Sequence, residues 1–551
     1  MLTITRTSTD FYVGFQFNPH IVNEIKAIEG REYQYESKQW RIPVDQEEAV
    51  RHLMNKYGVK AMDNRLQEIE EIEQLPDLIT PIPLKRQMFK YQEKGTARMM
   101  QLKRCINGDD MGLGKTTQAI ASLVGLNAFP ALIVCPATLK ENWQREFFIV
   151  AGIPCMILSD KTKGTWSQYW NVGMIKVFIT NPESLKKFFV HKINVPLSKN
   201  GKKPNVTLKN IEFRETINIF KSVTIDELHR YKNPQAMQTK LMKGICTGKE
   251  IVFGLTGTPV VNSPKDLMSQ LSIIGRLGDI GGYTHFLDRY CNKTGGGGRN
   301  LKELNVRLNK TCFFMRQKSE VLHDLPDKVR QIIYCDITTR VEYDKAMSDL
   351  GSYLKVYKEK TDAEVRKAMA GEVMVRIGIC KNIIARGKME TVNEWIDEII
   401  ESNNKVGVFI HQKVIADLLM KRYPHAVSVR GDDPMQERTK NVDAFQNNDK
   451  VKLIVCSIKS AGVGITLTSA SRMCFIDLPW HSADTNQCED RFHRIGQKDS
   501  VQCTYFLGKD TIDEWLYEII ESKRDTADKI AGTENNVQQE VIQKIMHKFN
   551  Q

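Results

Sequence analysis

The sequence predicts an α/β protein in which two parallel-sheet lobes with helical insertions follow a small α+β domain. Three observations carry that expectation. A glycine-bearing loop, Asp109-Asp110-Met111-Gly112-Leu113-Gly114-Lys115-Thr116-Thr117, opens a helical stretch. Two sets of short β-rich runs, one before residue 262 and one after residue 405, alternate with helical segments, and each run ends at polar or glycine-containing residues. An acidic pair, Asp226-Glu227, directly follows a strand of the first set.

The first 77 residues form the α+β module and its linker. Residues 11–17 read as a strand, and Asn18-Pro19 as an N-cap with proline at the first helical position for residues 21–28. Residues 32–35 and 39–44 flank a turn at Ser37-Lys38 and make a hairpin, after which Asp45 caps a second helix. An acidic helix at 67–73 and prolines 76, 81 and 83 separate this module from the rest. The first lobe spans 78–325, with strands at 131–135, 175–179, 223–225 and 251–255. The second spans 326–531, with strands at 406–410, 452–456, 473–476 and 501–506, and residues 532–551 form a tail. Residues 341–387 read as helical, 295–298 as a flexible glycine loop, and 198–205 as a basic surface turn.

Length and composition set outer bounds. A chain of 551 residues is too long for one core. Its 41% hydrophobic and 26% charged content is that of a folded globular protein. The net charge of +13 favours a polyanionic partner such as nucleic acid. Twelve cysteines occur singly with no Cys-x-x-Cys pair, so neither a zinc ribbon nor a disulfide framework is indicated, and reduced intracellular thiols are expected. No signal pattern opens the chain and no apolar run approaches the ~18 residues of a membrane span. A soluble intracellular protein with no membrane partner is expected, cytoplasmic if bacterial or viral in origin and nuclear if eukaryotic.

The loop points to ATP. Gly112 and Gly114 lack the Cβ that would hold the main chain away from a polyphosphate, so successive N–H groups can converge on its oxygens. Lys115 would reach the β- and γ-phosphates, the Thr116 hydroxyl would coordinate Mg²⁺, and Thr117 continues into the helix whose N-terminus faces the anion. Asp109 stands where the generic loop has its first glycine. Phosphoryl transfer also needs a carboxylate at a neighbouring strand end. Asp226 is the candidate metal carboxylate and Glu227 the candidate general base that orients and deprotonates water.

The order of Gln92, the Asp-Asp phosphate loop, Cys135-Pro136-Ala137-Thr138-Leu139, Asp226-Glu227-Leu228-His229, Leu255-Thr256-Gly257-Thr258-Pro259 and the segment from Gln487 to Gln497 resembles the Swi/Snf-type branch of superfamily-two helicases. The resemblance runs over roughly residues 84–530 and implies RecA-like lobes. It assigns Gln92 to adenine, and Gly112, Gly114, Lys115, Thr116 and Thr117 to phosphates and metal. Gly462, Gly464 and Gln487 fall in second-lobe motifs, with Gly464 and Gln487 on the nucleotide side. Arg491 and Arg494, three apart on an expected helix, are the arginine fingers. His229 resembles the residue that links the acidic pair to the coupling loop at Thr256 and Thr258; as a metal ligand it lacks a second ligand at suitable spacing. Leu228 departs from the small residue usual there, which bears on local packing. Pro136, Thr138, Asn181, Ser184, Lys459 and Thr466 fall where family members touch the nucleic-acid backbone, and each serves equally well as a turn residue.

His411-Gln412 after the 406–410 strand and the Asp-Asp loop are similar to the annealing-helicase subgroup, and the N-terminal module with Tyr33, Tyr35 and the Lys38 to Arg41 hairpin to its HARP-type domain. Aromatic and basic residues there suit branched or single-stranded DNA, and a buried core explains them equally. The implied activity is a DNA-dependent ATPase, a monomer that translocates on duplex DNA and remodels or anneals forks, with replication or repair proteins as further partners. A strand-separating DNA or RNA helicase and a nucleotide-gated DNA-binding module remain open at this point. So little chain lies outside motor and module that a histone-reading domain is not expected.

Overall fold

The structure, a computed structural model, describes residues 2–7, 9–35, 37–63, 74–195, 206–257, 264–291, 299–322, 324–358, 363–461, 464–480 and 482–527. The expected acidic helix at 67–73, the turn at 198–205, the loop at 295–298, Thr258, Gly462 and the tail at 532–551 lie outside these residues. Among the described residues, no helix is long and apolar enough to cross a membrane.

The N-terminal module is a five-stranded sheet ordered Glu32–Gln34, Gln39–Pro43, Asp10–Gly14, Thr3–Arg6, Met62–Asp63. Helices Pro19–Lys26 and Glu47–Tyr57 bring Ile21, Ile25, Val50 and Leu53 into one core with Ile4, Phe11, Val13 and Ile42. Asn18 caps its helix by accepting a hydrogen bond from the His20 N–H at 2.9 Å. Asp45 does not cap the second helix. It lies inside a 3-10 turn, Val44–Gln46, that precedes the helix, so its carboxylate is displaced from the capping position.

The first lobe is a parallel sheet of seven strands ordered Phe313–Phe314, Arg104–Asn107, Ile251–Leu255, Ser222–Asp226, Ala131–Val134, Val177–Thr180, Cys155–Ile157. Both faces are covered. Leu132 and Val134 enter one core with Val223 and Ile225, while Ala131 and Ile133 enter the other with Val177 and Ile179. Such two-sided burial is why these strands read as continuous apolar runs. A two-stranded ribbon, Val190–Ile193 with Ile211–Phe213, is inserted in this lobe. The second lobe repeats the plan with six parallel strands ordered Lys328–Cys335, Val501–Gly508, Arg472–Phe475, Val406–Ile410, Leu453–Ser457, Val427–Val429. Helices Arg340–Lys358 and Ala363–Gly387 occupy the stretch expected to be helical.

Candidate active site between the lobes

The phosphate loop leaves strand Arg104–Asn107 and enters helix Lys115–Gly125. Gly112 and Gly114 have φ of +89° and +76°, where side chains with a Cβ are strained. Space forbids one as well: a Cβ on Gly114 would stand 2.3 Å from Gln92 Nε2. Gln92 is buried and donates to the Leu113 carbonyl at 3.2 Å while accepting from the Phe89 N–H at 3.1 Å, so it ties the first helix of the lobe to the loop. Lys115 Nζ donates to the Asp109 and Asp110 carbonyls at 2.5 and 3.1 Å, and burial pulls its pKa down. The Thr117 hydroxyl accepts from Arg86 at 2.7 Å, and Arg86 also pairs with Glu146.

Asp109 gains a physical account. Its fully buried carboxylate forms a bidentate pair with Arg316, accepting from Arg316 Nε at 3.0 Å and from Nη2, and also accepts from Gln118 Nε2 at 3.0 Å and the Arg316 N–H at 3.1 Å. The residue that replaces glycine therefore fastens the loop to the segment following strand Phe313–Phe314.

The acidic pair ends strand Ser222–Asp226. Asp226 accepts from the Trp143 indole N–H at 2.8 Å on one oxygen and from the Glu227 N–H at 3.0 Å on the other. Burial, reinforced by Glu227, raises its pKa to about 6. Glu227 has φ of +54°, a left-handed conformation costly for a residue with a Cβ, and burial raises its pKa while Lys115 and Arg491 oppose that rise. His229 is pushed down to about 4 by burial and is neutral at neutral pH. Its Nδ1 lies 3.0 Å from Thr256 Oγ1 and 3.2 Å from Glu227 Oε2, so one ring atom faces both groups. Leu228 fits because Gly254, on strand Ile251–Leu255, leaves the room; a Cβ there would stand 2.4 Å from Leu228 Cδ2.

The second lobe completes the cleft. Helix Ser482–Glu489 stops before the arginines, and Arg491 and Phe492 make 3-10-type bonds to Cys488 and Glu489. Arg491 and Arg494 thus lie on a turn rather than on the expected helix. The buried Glu489 carboxylate, held by Lys328 and Arg330 at 2.8 and 2.7 Å and by Tyr505, anchors that turn. Arg491 is half-buried; desolvation lowers its pKa, and Asp490, Glu227 and Asp226 oppose that fall. Arg494 is brought down to about 10 by burial and by Arg491, and it donates to Thr466 Oγ1 at 2.9 Å and the Ile465 carbonyl at 3.2 Å. A Cβ on Gly112 would stand 3.3 Å from Arg494 Cβ, so phosphate loop and finger segment are in contact. Gly464, with φ of +82°, packs against Leu139 across the cleft, and Gln487 is half-buried on the helix preceding the arginines.

The backbone-contact candidates separate. Lys459 is exposed, Thr138 half-buried and Pro136 buried at the start of a 3-10 turn. Asn181 donates to Glu183 at 2.7 Å and accepts from Ser184 at 2.9 Å, so their polar atoms bond one another, while Thr466 bonds Arg494. Reading the sequence missed Trp143, Arg316 and Lys318. Each acts on a residue at least 80 positions away, so no local signal could have found them.

Residues 33–383 match the SNF2-related domain and residues 387–496 the helicase conserved C-terminal domain. The chain is 27% identical over 559 residues to the Caenorhabditis elegans SWI/SNF-related matrix-associated actin-dependent regulator of chromatin subfamily A-like protein 1 homolog, covering 96% of this chain and 75% of that protein. It is 26% identical to the Homo sapiens DNA annealing helicase and endonuclease ZRANB3, covering 84% of this chain and 42% of that protein, and so spans under half the length of the human relative. Among solved structures it is similar to the Sulfolobus solfataricus SWI2/SNF2 ATPase core in complex with dsDNA, at 23% identity and a TM-score of 0.38, covering 86% of this chain and 99% of that one. Because the match to that first domain covers more than half of this chain, the chain belongs to the SNF2-related family of ATP-hydrolysing, helicase-like proteins.

Proposed function

We propose that this protein is a DNA-dependent ATPase that translocates on duplex DNA and remodels or anneals branched DNA such as forks. One observation carries the reading: Arg494 of the second lobe lies against the phosphate loop of the first, with Arg491 electrostatically linked to Asp226 and Glu227. The relatives named for DNA annealing and the net charge of +13 support DNA as the partner.

The residues fit Mg²⁺ and ATP. An ion held by one carboxylate, one hydroxyl, phosphate and water needs no protein cage. Asp226 and Thr116 would hold it, and the ion would supply charge neutralisation at the phosphates. Glu227 Oε2, which faces His229 Nδ1 at 3.2 Å, would take the proton of the attacking water. Gln92 would face adenine, the loop amides and Lys115 the phosphates. Arg491 and Arg494 would stabilise charge that develops on the transferring group. His229 with Thr256 and Thr258 would report the state of Glu227 to the neighbouring strand end, so that closure and reopening of the cleft move the tracked strand. Residues 1–77 would recognise substrate through Tyr33, Tyr35 and Trp40, of which Tyr35 is 84% exposed; 78–325 and 326–531 would be the motor lobes and 532–551 a tail. The setting would be the cytoplasm of a bacterial or viral host or a eukaryotic nucleus, with replication or repair proteins as partners.

The test is ATP turnover by the full chain against duplex, forked and single-stranded DNA and RNA. Duplex or fork stimulation is expected, and Tyr35→Ala should reduce fork preference without lowering duplex-stimulated turnover. Absence of stimulation by any DNA defeats the proposal.

A further inference from the structure

The segment between the lobes carries a cation that touches both halves of the cleft. Lys318 opens the short helix Lys318–Val321 just after the last strand of the first lobe. Its N–H donates to Asp110 Oδ2 at 3.0 Å, which fixes the backbone of Lys318 to the phosphate loop. Its ammonium crosses to the second lobe, donating to Asp490 Oδ1 at 2.6 Å and to the His493 carbonyl at 3.0 Å. Those acceptors are the residues immediately before Arg491 and Arg494. A Cβ on Gly112 would stand 3.3 Å from Lys318 Cε, as it would from Arg494 Cβ, so lysine stem and finger pass the same point of the loop side by side.

The surroundings argue for placement rather than for a surface ion pair. Lys318 and Asp490 are both 13% exposed, and a second cation, Lys328, lies 3.5 Å from the same Asp490 oxygen. Lys328 and Arg330 already hold neighbouring Glu489, and His493 Nε2 lies 2.8 Å from the Pro326 carbonyl. Lys328, Arg330 and Pro326 tie the finger turn to its own lobe. Lys318 ties it to the phosphate loop.

We propose that Lys318 is a positioning residue for the arginine fingers, holding the turn Asp490 to Arg494 in register with the phosphate loop so that Arg491 and Arg494 face the transferring phosphate. The inference rests on the ATPase reading above. Lys318 itself need not meet ATP. Loss of its side chain should leave nucleotide binding in place and slow the step in which charge develops, because groups misplaced by about 1 Å lose on the order of a hundredfold.

The experiment compares kcat, KM for ATP and melting temperature of the DNA-stimulated full chain for wild type, Lys318→Met, Asp490→Asn, the double variant and Lys318→Arg. Each single variant should lose about 10- to 100-fold in kcat with KM changed less than about threefold, the double should be no slower than the slower single, and Lys318→Arg should recover part of the rate. Unchanged kcat, a loss confined to KM, or single effects that multiply in the double overturn the inference. If Lys318→Met does not fold, Asp490→Asn, which alters no volume, decides by the same criteria. A wild type without ATP turnover defeats the ATPase reading instead, so the two failures are distinct.

Discussion

The two lobes place different chemistry at a strand-to-helix turn of similar parallel sheets. In the first, strand Arg104–Asn107 reaches helix Lys115–Gly125 through the seven residues 108–114, in which Gly112 and Gly114 take left-handed φ. In the second, strand Val406–Ile410 reaches helix Lys413–Arg422 through only His411 and Gln412. The amides of those two residues donate to the carboxylate of Asp477, at 2.5 and 3.1 Å. Asp477 follows strand Arg472–Phe475, next to Val406–Ile410, and is buried, whereas Asp226 is half-buried. Burial raises the pKa of both. The second lobe thus supplies an internal carboxylate to amides near a helix start, where the first would offer its loop amides to the phosphates of ATP. Loop length decides which. The carboxylates differ in position as well as in use: Asp477 follows the strand next to Val406–Ile410, whereas Ile251–Leu255 lies between Arg104–Asn107 and Ser222–Asp226.

That contrast breaks first at Glu227. Glu227→Gln removes the base while keeping its shape, and turnover should fall about 10²- to 10⁴-fold with ATP still bound; a normal rate would place the base elsewhere. Asp477→Asn tests the other half. Its amide would turn a donor toward one of the two backbone N–H groups, and the chain should lose about 1–3 kcal/mol of stability, read as a lower denaturant midpoint. Turnover per folded molecule should stay within a few-fold of wild type, since Asp477 belongs to structure in this account.

The smallest effect concerns pH. Asp226 has its folded pKa raised to about 6, above an unfolded value of roughly 4, so the folded state binds the extra proton between them. Stability from this group is fully present below about pH 4 and is lost as pH rises through about 6. Without nucleotide or divalent cation, Asp226→Asn should therefore melt higher than wild type at pH 8, by up to about 1–3 kcal/mol, and gain nothing near pH 4. An equal gain at both pH values would show that the carboxylate is not the cause.

How far these features could be read from the chain follows from how local they are. Gly112, Gly114, Lys115 and the Asp226-Glu227 pair were legible because backbone geometry and phosphate chemistry demand those residue types within a few positions. The buried strands at 251–255 and 406–410 were legible as apolar runs. Strand Arg104–Asn107, which launches the phosphate loop, was not, because polar residues bound it. Arg104 is satisfied by the Ile274 carbonyl at 2.7 Å, and Asn107 by Gln118 at 3.1 Å. Arg316 and Lys318 are two among 79 lysines and arginines, and their partners Asp109 and Asp490 lie 207 and 172 positions away. The helix expected beneath Arg491 and Arg494 gave way to a turn because Glu489 is pinned by cations from another strand, which no local spacing reveals.

The central claim is that one active site is divided between two lobes, and Arg494 tests it most directly. The measurement is DNA-stimulated ATP turnover of Arg494→Ala beside wild type, with ATP affinity determined on the same preparations. The account expects turnover to fall at least about 100-fold while affinity changes by only a few-fold, because the guanidinium acts on charge that develops during transfer. Turnover close to wild type would contradict it and leave the first lobe as a complete site by itself.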